Sequence, residues 1–254
     1  MTNPPSSSAL DEETARAELY GVIAELFYAP SRVELLAQLR VAATEAPAAG
    51  GFLEEPWRQL VGVARNMDDA AIQKEHDAVF GGVGKPEVYA FASHFLSGFL
   101  NEKPLAKLRE DLNALGLTRD ATSMSETEDH ISYVLEVMRF LVAGDDVAVS
   151  NLTQQAKFFA AHVQPWVPAF CDAVQANPRA HFYAALAELT RSLVSVESQA
   201  FDLMAYGFSI TAFRHLGDCL ALLPSHSGTK GLKVLLDSVY IRILRGISYE
   251  KSTT

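Results

Sequence analysis

An acidic turn with one histidine contains the residues of this chain best suited to chemistry. Glu126, Glu128, Asp129 and His130 occur within five positions. A carboxylate beside an imidazole has the composition of an acid–base pair, and several carboxylates together suit a cationic partner. Ser125 and Glu128 also have the spacing of a capping box, which predicts that a helix begins at Ser125. Within that helix, Asp129 and His130 would lie at a positive helix end, and the apolar residues that follow predict a buried face.

Catalysis by this turn is not favoured. Consecutive helical residues such as Asp129 and His130 point about 100° apart and do not orient one another. Ser97 and Gly98 lack the preceding glycine of a nucleophile elbow, and Cys171 has no basic neighbour to activate its thiol. We therefore predict that the protein is not an enzyme, and a hydrolase that uses Asp129 and His130 is the least favoured alternative.

Cofactor and metal sites are equally poorly supported. The glycine-rich segment 81–85 resembles a phosphate loop, but Val79 and Pro86 stand where that pattern requires Gly and Ser or Thr. Glu126 and His130 are four positions apart, whereas di-iron proteins use Glu-x-x-His. The sequence thus predicts no cofactor and no metal.

Charge restricts the partners. The 254 residues include 21 Lys and Arg against 31 Asp and Glu, a net charge of −10. Nucleic acid is therefore an unfavourable partner, and a basic peptide is a favourable one. The charge is uneven, because residues 1–204 carry 15 − 28 = −13 and residues 205–254 carry 6 − 3 = +3.

The compartment follows from what the sequence lacks. Cys171 and Cys219 are the two cysteines, and neither belongs to a CxxC pair. This argues against a disulfide framework. The first eight residues do not resemble a secretory signal, and no window is long and apolar enough to span a bilayer. We predict a cytoplasmic protein without stable membrane insertion.

Helical periodicity recurs along the chain and predicts an all-α fold, a compact single-domain multi-helix bundle. No alternating runs flanked by hairpin turns indicate strands. We expect a disordered N-terminus over residues 1–10, a helical domain over 11–204 and a C-terminal helical extension of unknown role over 205–254. The predicted helices cover residues 12–28, 31–40, 56 onward, 68–80, 89–100, 104–115, 125–143, 146–162, 166–176, 177–204, 209–223 and 230–246.

Two stretches together resemble the TorD/DmsD/NarJ family of redox-enzyme maturation chaperones. Residues 75–80, Glu-His-Asp-Ala-Val-Phe, are similar to the family's Glu-Tyr-x-x-Leu-Phe. Residues 126–131, Glu-Thr-Glu-Asp-His-Ile, are similar to its Pro-x-Asp-His-(Ile/Leu). Supporting likeness occurs in residues 19–30, 86–97 and 158–170, so the resemblance covers roughly residues 12–204. This sequence departs from the family at His76, Val79 and Thr127, where the family has an aromatic residue, Leu and Pro.

The resemblance implies an all-helical cytoplasmic chaperone that binds the twin-arginine signal peptide of a molybdenum-cofactor oxidoreductase. Such a chaperone holds the precursor of the catalytic subunit back from export until the cofactor is inserted. A peptide with two arginines and an apolar stretch calls for a groove edged by carboxylates. We predict that four residues line or border the groove: Val79, Phe80, Tyr89 and Ser93. We predict that Glu126, Asp129 and His130 form its polar edge. Glu75, His76 and Glu136 are further candidates for peptide binding.

A second function stays open at this point. A general helical assembly factor could bind a folded redox-enzyme subunit instead of a signal peptide. The sequence also leaves open which molybdoenzyme is the client, and whether the chain forms a homo-oligomer.

Overall fold

The computed structural model describes residues 7–29, 33–42, 53–81, 85–119, 125–205 and 247–249. These ranges form ten helices and one antiparallel ribbon of two three-residue strands, which confirms the predicted all-α fold. The elements, in chain order, are α1 (Ser7–Tyr28), α2 (Val33–Val41), α3 (Glu54–Asn66), α4 (Asp69–Phe80), α5 (Ala92–Ser97), α6 (Lys103–Ala114), β1 (Leu117–Arg119), α7 (Ile131–Ala143), α8 (Leu152–His162), α9 (Val167–Gln175), α10 (Phe182–Ala205) and β2 (Ile247–Tyr249).

Helices α1 and α7 form the centre of the molecule. Every residue from Ile131 to Met138 is buried, as is nearly every residue from Arg16 to Phe27. A helix that is buried on all sides belongs in the middle of a core rather than at its surface. The two helices pack along one another, with α8 against α7 and with α3 and α9 against α10. The residues that α1 and α7 present at their ends are therefore held on a rigid support.

A buried charge pair joins α1 to α10. The guanidinium of Arg16 donates two 2.6 Å hydrogen bonds to the carboxylate of Glu197, and one of 2.8 Å to Gln155. Gln155 in turn donates to the carbonyl oxygen of Leu141 at 2.9 Å, which ties α8 to the end of α7. Burial lowers the pKa of Arg16, but the charge and hydrogen bonds of Glu197 outweigh it and raise the pKa overall.

Several helix ends follow local sequence signals. Asp68 caps α4 by accepting a 2.7 Å hydrogen bond from the amide of Ala71, as predicted. Gly116 follows α6 with a positive φ of 72°, and Gly144 ends α7 by donating to the carbonyl of Phe140 at 2.8 Å. Capping and glycine signals therefore located these helix ends correctly.

The predicted capping box at Ser125 is wrong, because α7 begins at Ile131 and its cap is His130. The Glu128 carboxylate accepts two hydrogen bonds from Arg109, at 3.0 and 2.8 Å, and does not reach back to Ser125. Residues 129–131 are held by backbone pairing with residues 90–92, from the amide of Ile131 to Ala90 and from the amide of Ala92 to Asp129. Contacts from distant segments thus override the local pattern.

The same pairing shortens the helix predicted over residues 89–100. Phe91 is the extended residue opposite His130, and α5 starts only at Ala92 and ends after Ser97. Gly98 closes it in the left-handed region with a φ of 81°, a conformation that glycine adopts without strain.

The remaining predicted boundaries differ more modestly. Helix α1 starts at Ser7, so the last four residues of the predicted disordered N-terminus are helical. Helix α8 starts at Leu152 rather than at Asp146, and α10 at Phe182 rather than at Asn177. The predicted polar link after α6 begins with β1, which pairs with β2. Predicted helices 209–223 and 230–246 lie outside the described residues, as do residues 1–6.

Candidate functional site

The two family-like stretches meet at the C-terminal end of α1. The Nε2 atom of His76 lies 3.4 Å from the carbonyl oxygen of Phe27. The ring of His130 contacts the ring of Tyr28 edge-on, with centroids 6.1 Å apart, and the ring of Phe91 at 5.1 Å. We call Tyr28, His76, Phe80, Phe91 and His130 the aromatic mouth. All but His130 are partly exposed, so the mouth combines ring surface with access from solvent.

Phe80 forms the inner side of the aromatic mouth. Its ring contacts those of Phe27 at 6.0 Å and Tyr183 at 5.0 Å, both edge-on. The His76 ring packs 5.4 Å from Phe80. Burial lowers the pKa of His76, against the opposing effects of the Phe27 carbonyl and Asp77. At neutral pH this side of the mouth is therefore an uncharged aromatic wall.

Val79 and Glu75 hold the mouth in place from behind. Val79 is fully buried, and its carbonyl oxygen accepts hydrogen bonds from the amides of Glu87 and Val88, at 3.1 and 2.9 Å. One carboxylate oxygen of Glu75 accepts from the amides of His181 and Tyr183, both at 2.8 Å. Glu75 thereby binds free amides at the start of α10, as an anion does at a helix N-terminus.

Asp129 lies beneath the surface and joins two segments. Its Oδ2 atom accepts hydrogen bonds from the amide and the hydroxyl of Ser93, at 3.0 and 2.6 Å, and its Oδ1 from Thr127 at 2.7 Å. Asp129 is 1% exposed and Ser93 is fully buried. Both therefore position the segment that carries Tyr89 and Phe91, rather than offering a free charge to a ligand.

His130 combines a cap with an unused donor. Its Nδ1 atom accepts a 3.3 Å hydrogen bond from the amide of Ser132, so the proton of the neutral ring lies on Nε2. Burial lowers the pKa of His130 to about 4, aided by the charge of His76 and opposed by that of Asp129. Among the described residues, nothing accepts a hydrogen bond from Nε2. The Nε2–H group of His130 is thus an unused donor within the described part of the chain.

The remaining predicted site residues, Tyr89, Glu126 and Glu136, lie at different depths. Tyr89 is partly exposed and stacks on His94, with ring centroids 4.5 Å apart. Glu126 is partly exposed, and Arg119 donates to its backbone carbonyl at 2.8 Å. Glu136 is 2% exposed and paired with Arg139. Burial raises the pKa of Glu136, while Arg139 lowers it.

Sequence reasoning missed three residues of this region: Tyr28, Phe91 and Asp77. Tyr28 lies within a supporting stretch of the resemblance, but its sequence pattern indicates only the end of a helix. Phe91 lies in the predicted helix 89–100, but in the structure it is extended and precedes α5. Asp77 has a side chain that is 55% exposed and lies beside His76. An acidic residue directly after the motif histidine is the sequence signal that could have identified it.

Metal-binding clusters and membrane-spanning helices are both absent from the described part of the chain. It contains no group of three or more His, Cys, Asp or Glu residues arranged to hold a metal ion. Within the same residues, no helix has the length and apolar character that would let it cross a membrane.

Comparisons with known proteins agree with the resemblance. A family model described as nitrate reductase delta subunit matches residues 47–172, which include both motif stretches. Chaperone protein TorD of Vibrio cholerae serotype O1 El Tor Inaba is 24% identical over 203 residues, covering 74% of this chain and 92% of that protein. The TorD proteins of two other V. cholerae strains, O395 and M66-2, are 27% identical over 111 residues, covering 41% of this chain and 50% of theirs.

Proposed function

Because the chain belongs to the TorD/DmsD/NarJ family of redox-enzyme maturation chaperones, we propose that it binds the twin-arginine signal peptide of a molybdenum-cofactor oxidoreductase in the cytoplasm. It assists maturation of that precursor before export and catalyses no reaction. The main support is the meeting of two stretches, residues 75–80 and 126–131, at the end of α1.

The aromatic mouth suits the apolar part of such a peptide. Tyr28, Phe80 and Phe91 expose part of their rings, and burial of aromatic surface is a main source of binding energy at protein interfaces. The Nε2–H group of His130 donates to a backbone carbonyl of the peptide. This contact holds the peptide without requiring a charged imidazole.

The arginines require carboxylates with accessible oxygens. Glu126 and Asp77 are the accessible acidic residues of the two motif stretches, and we assign them to the guanidinium groups. Glu75, Val79, Ser93 and Asp129 act indirectly, because each is buried and holds a wall of the mouth. Tyr89 borders the mouth. Glu136 lies deeper and receives no direct contact from the peptide in this proposal.

The test is a titration of labelled peptides against the full chain, followed by fluorescence anisotropy. A twin-arginine peptide should bind, and a version with both arginines replaced by glutamine should bind about tenfold or more weakly. His130→Gln, Glu126→Gln and Asp77→Asn should each weaken binding roughly threefold to thirtyfold. Asp145→Asn serves as the control, because this exposed residue lies beyond the opposite end of α7.

Two outcomes would contradict the proposal. Unchanged affinity in all three variants, each shown to be folded by circular dichroism, would remove the site assignment. Binding to a folded mature enzyme that lacks its signal peptide, with no gain from the full precursor, would favour the assembly-factor alternative instead.

A further inference from the structure

A second surface with different chemistry lies on α5, α6 and the turn between them. Leu96, Phe99 and Leu100 are 43%, 70% and 41% exposed, and they are three of the six large apolar side chains exposed in the described part of the chain. Lys103 and Lys107 follow on α6. We call these five residues the α5–α6 surface. Clustered exposed apolar residues with a polar border are typical of a docking site.

A cavity continues this surface into the protein. It has a volume of about 300 Å³, and its lining includes Ala92, Leu96, Pro104, Leu108 and Val134. Ligand pockets in proteins range from roughly 300 to 1,000 Å³. The cavity is therefore at the small end of that range and suits one or two anchoring side chains rather than a whole cofactor.

The charged side chains that line the cavity include two lysines, one of which is already paired with a carboxylate. Lys103 and Lys107 both line it, one helical turn apart, and none of the lining residues is acidic. Lys107 is paired with Asp111 at 2.6 Å, and Asp111 also lies 2.8 Å from the Nε2 atom of His162. Lys103 is exposed and has no ion-pair partner among the described residues. It is the cation left for a partner.

The exposed apolar residues are fixed by the turn that carries them. The hydroxyl of Ser97 donates to the carbonyl oxygen of Ser93 at 2.7 Å. The amide of Gly98 donates to the carbonyl oxygen of His94 at 2.9 Å. Asn101 has a φ of 58°, which is uncommon for a residue other than glycine. The surface therefore exists before any partner arrives, which lowers the entropy lost on binding.

We propose that the α5–α6 surface binds an amphipathic helix that presents apolar side chains to Phe99 and the cavity and a carboxylate to Lys103. This is the helix-in-groove form of recognition, with anchors at helical spacing. Charge complementarity identifies the partner, because a chain of net charge −10 here presents Lys103, unpaired within the described part of the chain, beside an apolar cavity. The cationic peptide proposed for the aromatic mouth has the opposite charge, so the two surfaces select different segments.

The experiment measures binding of a labelled amphipathic peptide of about 16 residues, long enough for appreciable helix formation. It carries leucines on one face and glutamates beside them. The full chain should bind it, and Lys103→Glu and Phe99→Ser should each weaken binding roughly tenfold or more. A matched peptide with lysines in place of the glutamates should bind roughly tenfold more weakly to the unmodified protein.

A control variant separates docking at the α5–α6 surface from non-specific apolar binding. Val147→Ser alters an apolar side chain that is 80% exposed and that belongs neither to α5 or α6 nor to the cavity lining. It should leave binding unchanged. Equal binding of the glutamate and lysine peptides, or unchanged binding by a folded Lys103→Glu variant, would overturn the proposal. Sedimentation that reveals a dimer abolished by Phe99→Ser would assign the surface to a second copy and also overturn it. None of these results depends on the signal-peptide assay.

Discussion

The carboxylate of Asp129 accepts hydrogen bonds from both the amide and the hydroxyl of Ser93, at 3.0 and 2.6 Å, in a site that is almost closed to solvent. Asp129 precedes the central helix α7, and Ser93 lies in the first turn of the short helix α5. The pair therefore fixes Phe91 against His130 and determines the shape of the aromatic mouth.

Removing this pair should loosen the mouth. Asp129→Ala leaves the buried Ser93 amide and hydroxyl without an acceptor, and we expect a loss of about 1–3 kcal/mol in the free energy of unfolding. Urea denaturation measures the loss. Thr153→Ala, at an exposed position in α8, should change stability by less than about 0.5 kcal/mol. Equal effects of the two substitutions would show that Asp129 does not hold the segments together.

Acid should weaken the fold through His130. Its pKa is about 4 in the folded protein against 6.5 for an ordinary histidine, so the unfolded chain binds the extra proton between these values. The contribution of neutral His130 to the free energy of unfolding is fully present above pH 6.5. It is lost as the pH falls towards 4, up to about 3 kcal/mol in all. Burial also lowers the pKa values of His76 and His162, which adds loss in the same direction.

The measurement compares urea midpoints from pH 7 to pH 4.5 in the wild type and in His130→Gln. The variant should lose less stability over this range, whatever its starting level, because glutamine does not titrate. The raised pKa of Glu136 makes stability rise as the pH falls, which is the opposite effect. Glu136 is present in both proteins, so this effect cancels in the comparison. Thr153→Ala, at an exposed position without a titratable side chain, should retain the wild-type slope.

The buried Arg16–Glu197 pair should be costly to break from one side. Glu197→Ala leaves the guanidinium of Arg16 buried without its main partner, and we expect a loss of roughly 3–5 kcal/mol by urea denaturation. Arg16→Met combined with Glu197→Leu should recover part of it, since no charge then remains buried. The exposed pair Arg58–Glu55 is the control, and Glu55→Ala should cost roughly 0–1 kcal/mol.

Two glycines should respond to alanine in opposite directions. A Cβ atom at Gly62, inside α3, meets nothing within 4 Å, so Gly62→Ala should stabilise the protein by about 0.5–1 kcal/mol. A Cβ atom at Gly144 would lie 2.8 Å from the carbonyl oxygen of Phe140 and would also overlap Ser150. Gly144→Ala should therefore lower the melting temperature, by an amount that corresponds to about 1–3 kcal/mol. A shift in the same direction for both would contradict this assignment.

How far the sequence could predict the fold depended on the range of the interactions. Asp68 caps α4 as predicted because the cap and the amide it binds are three residues apart. Ser125 and Glu128 have an equally good local pattern, yet the Glu128 carboxylate is bound by Arg109, nineteen positions away. Helical periodicity and local caps were thus sufficient for fold class, but not where a distant side chain competes for the cap.

The candidate site shows the same division. Residue type and spacing were enough to identify Asp129 and His130 as site candidates, but they did not predict that both side chains are buried. The pairing of residues 90–92 with residues 129–131 buries the Asp129 carboxylate, and no local pattern encodes that pairing. Asp77 is the exposed acidic residue within the first motif, and the family pattern does not point to it because that pattern leaves its position open.

The hydrogen bonds of Glu75 have a mechanical consequence. One oxygen of this α4 side chain binds two amides at the start of α10, while the hydroxyl of Tyr183 donates to the carbonyl of Leu26 in α1 at 3.1 Å. Three helices thus share one junction directly behind the place where we expect the export tag to dock. At about 1.5 Å per residue, the 24-residue α10 extends from this junction for roughly 36 Å. The hydrogen bonds of Glu75 therefore fix the orientation of a long helix as well as the wall of the aromatic mouth.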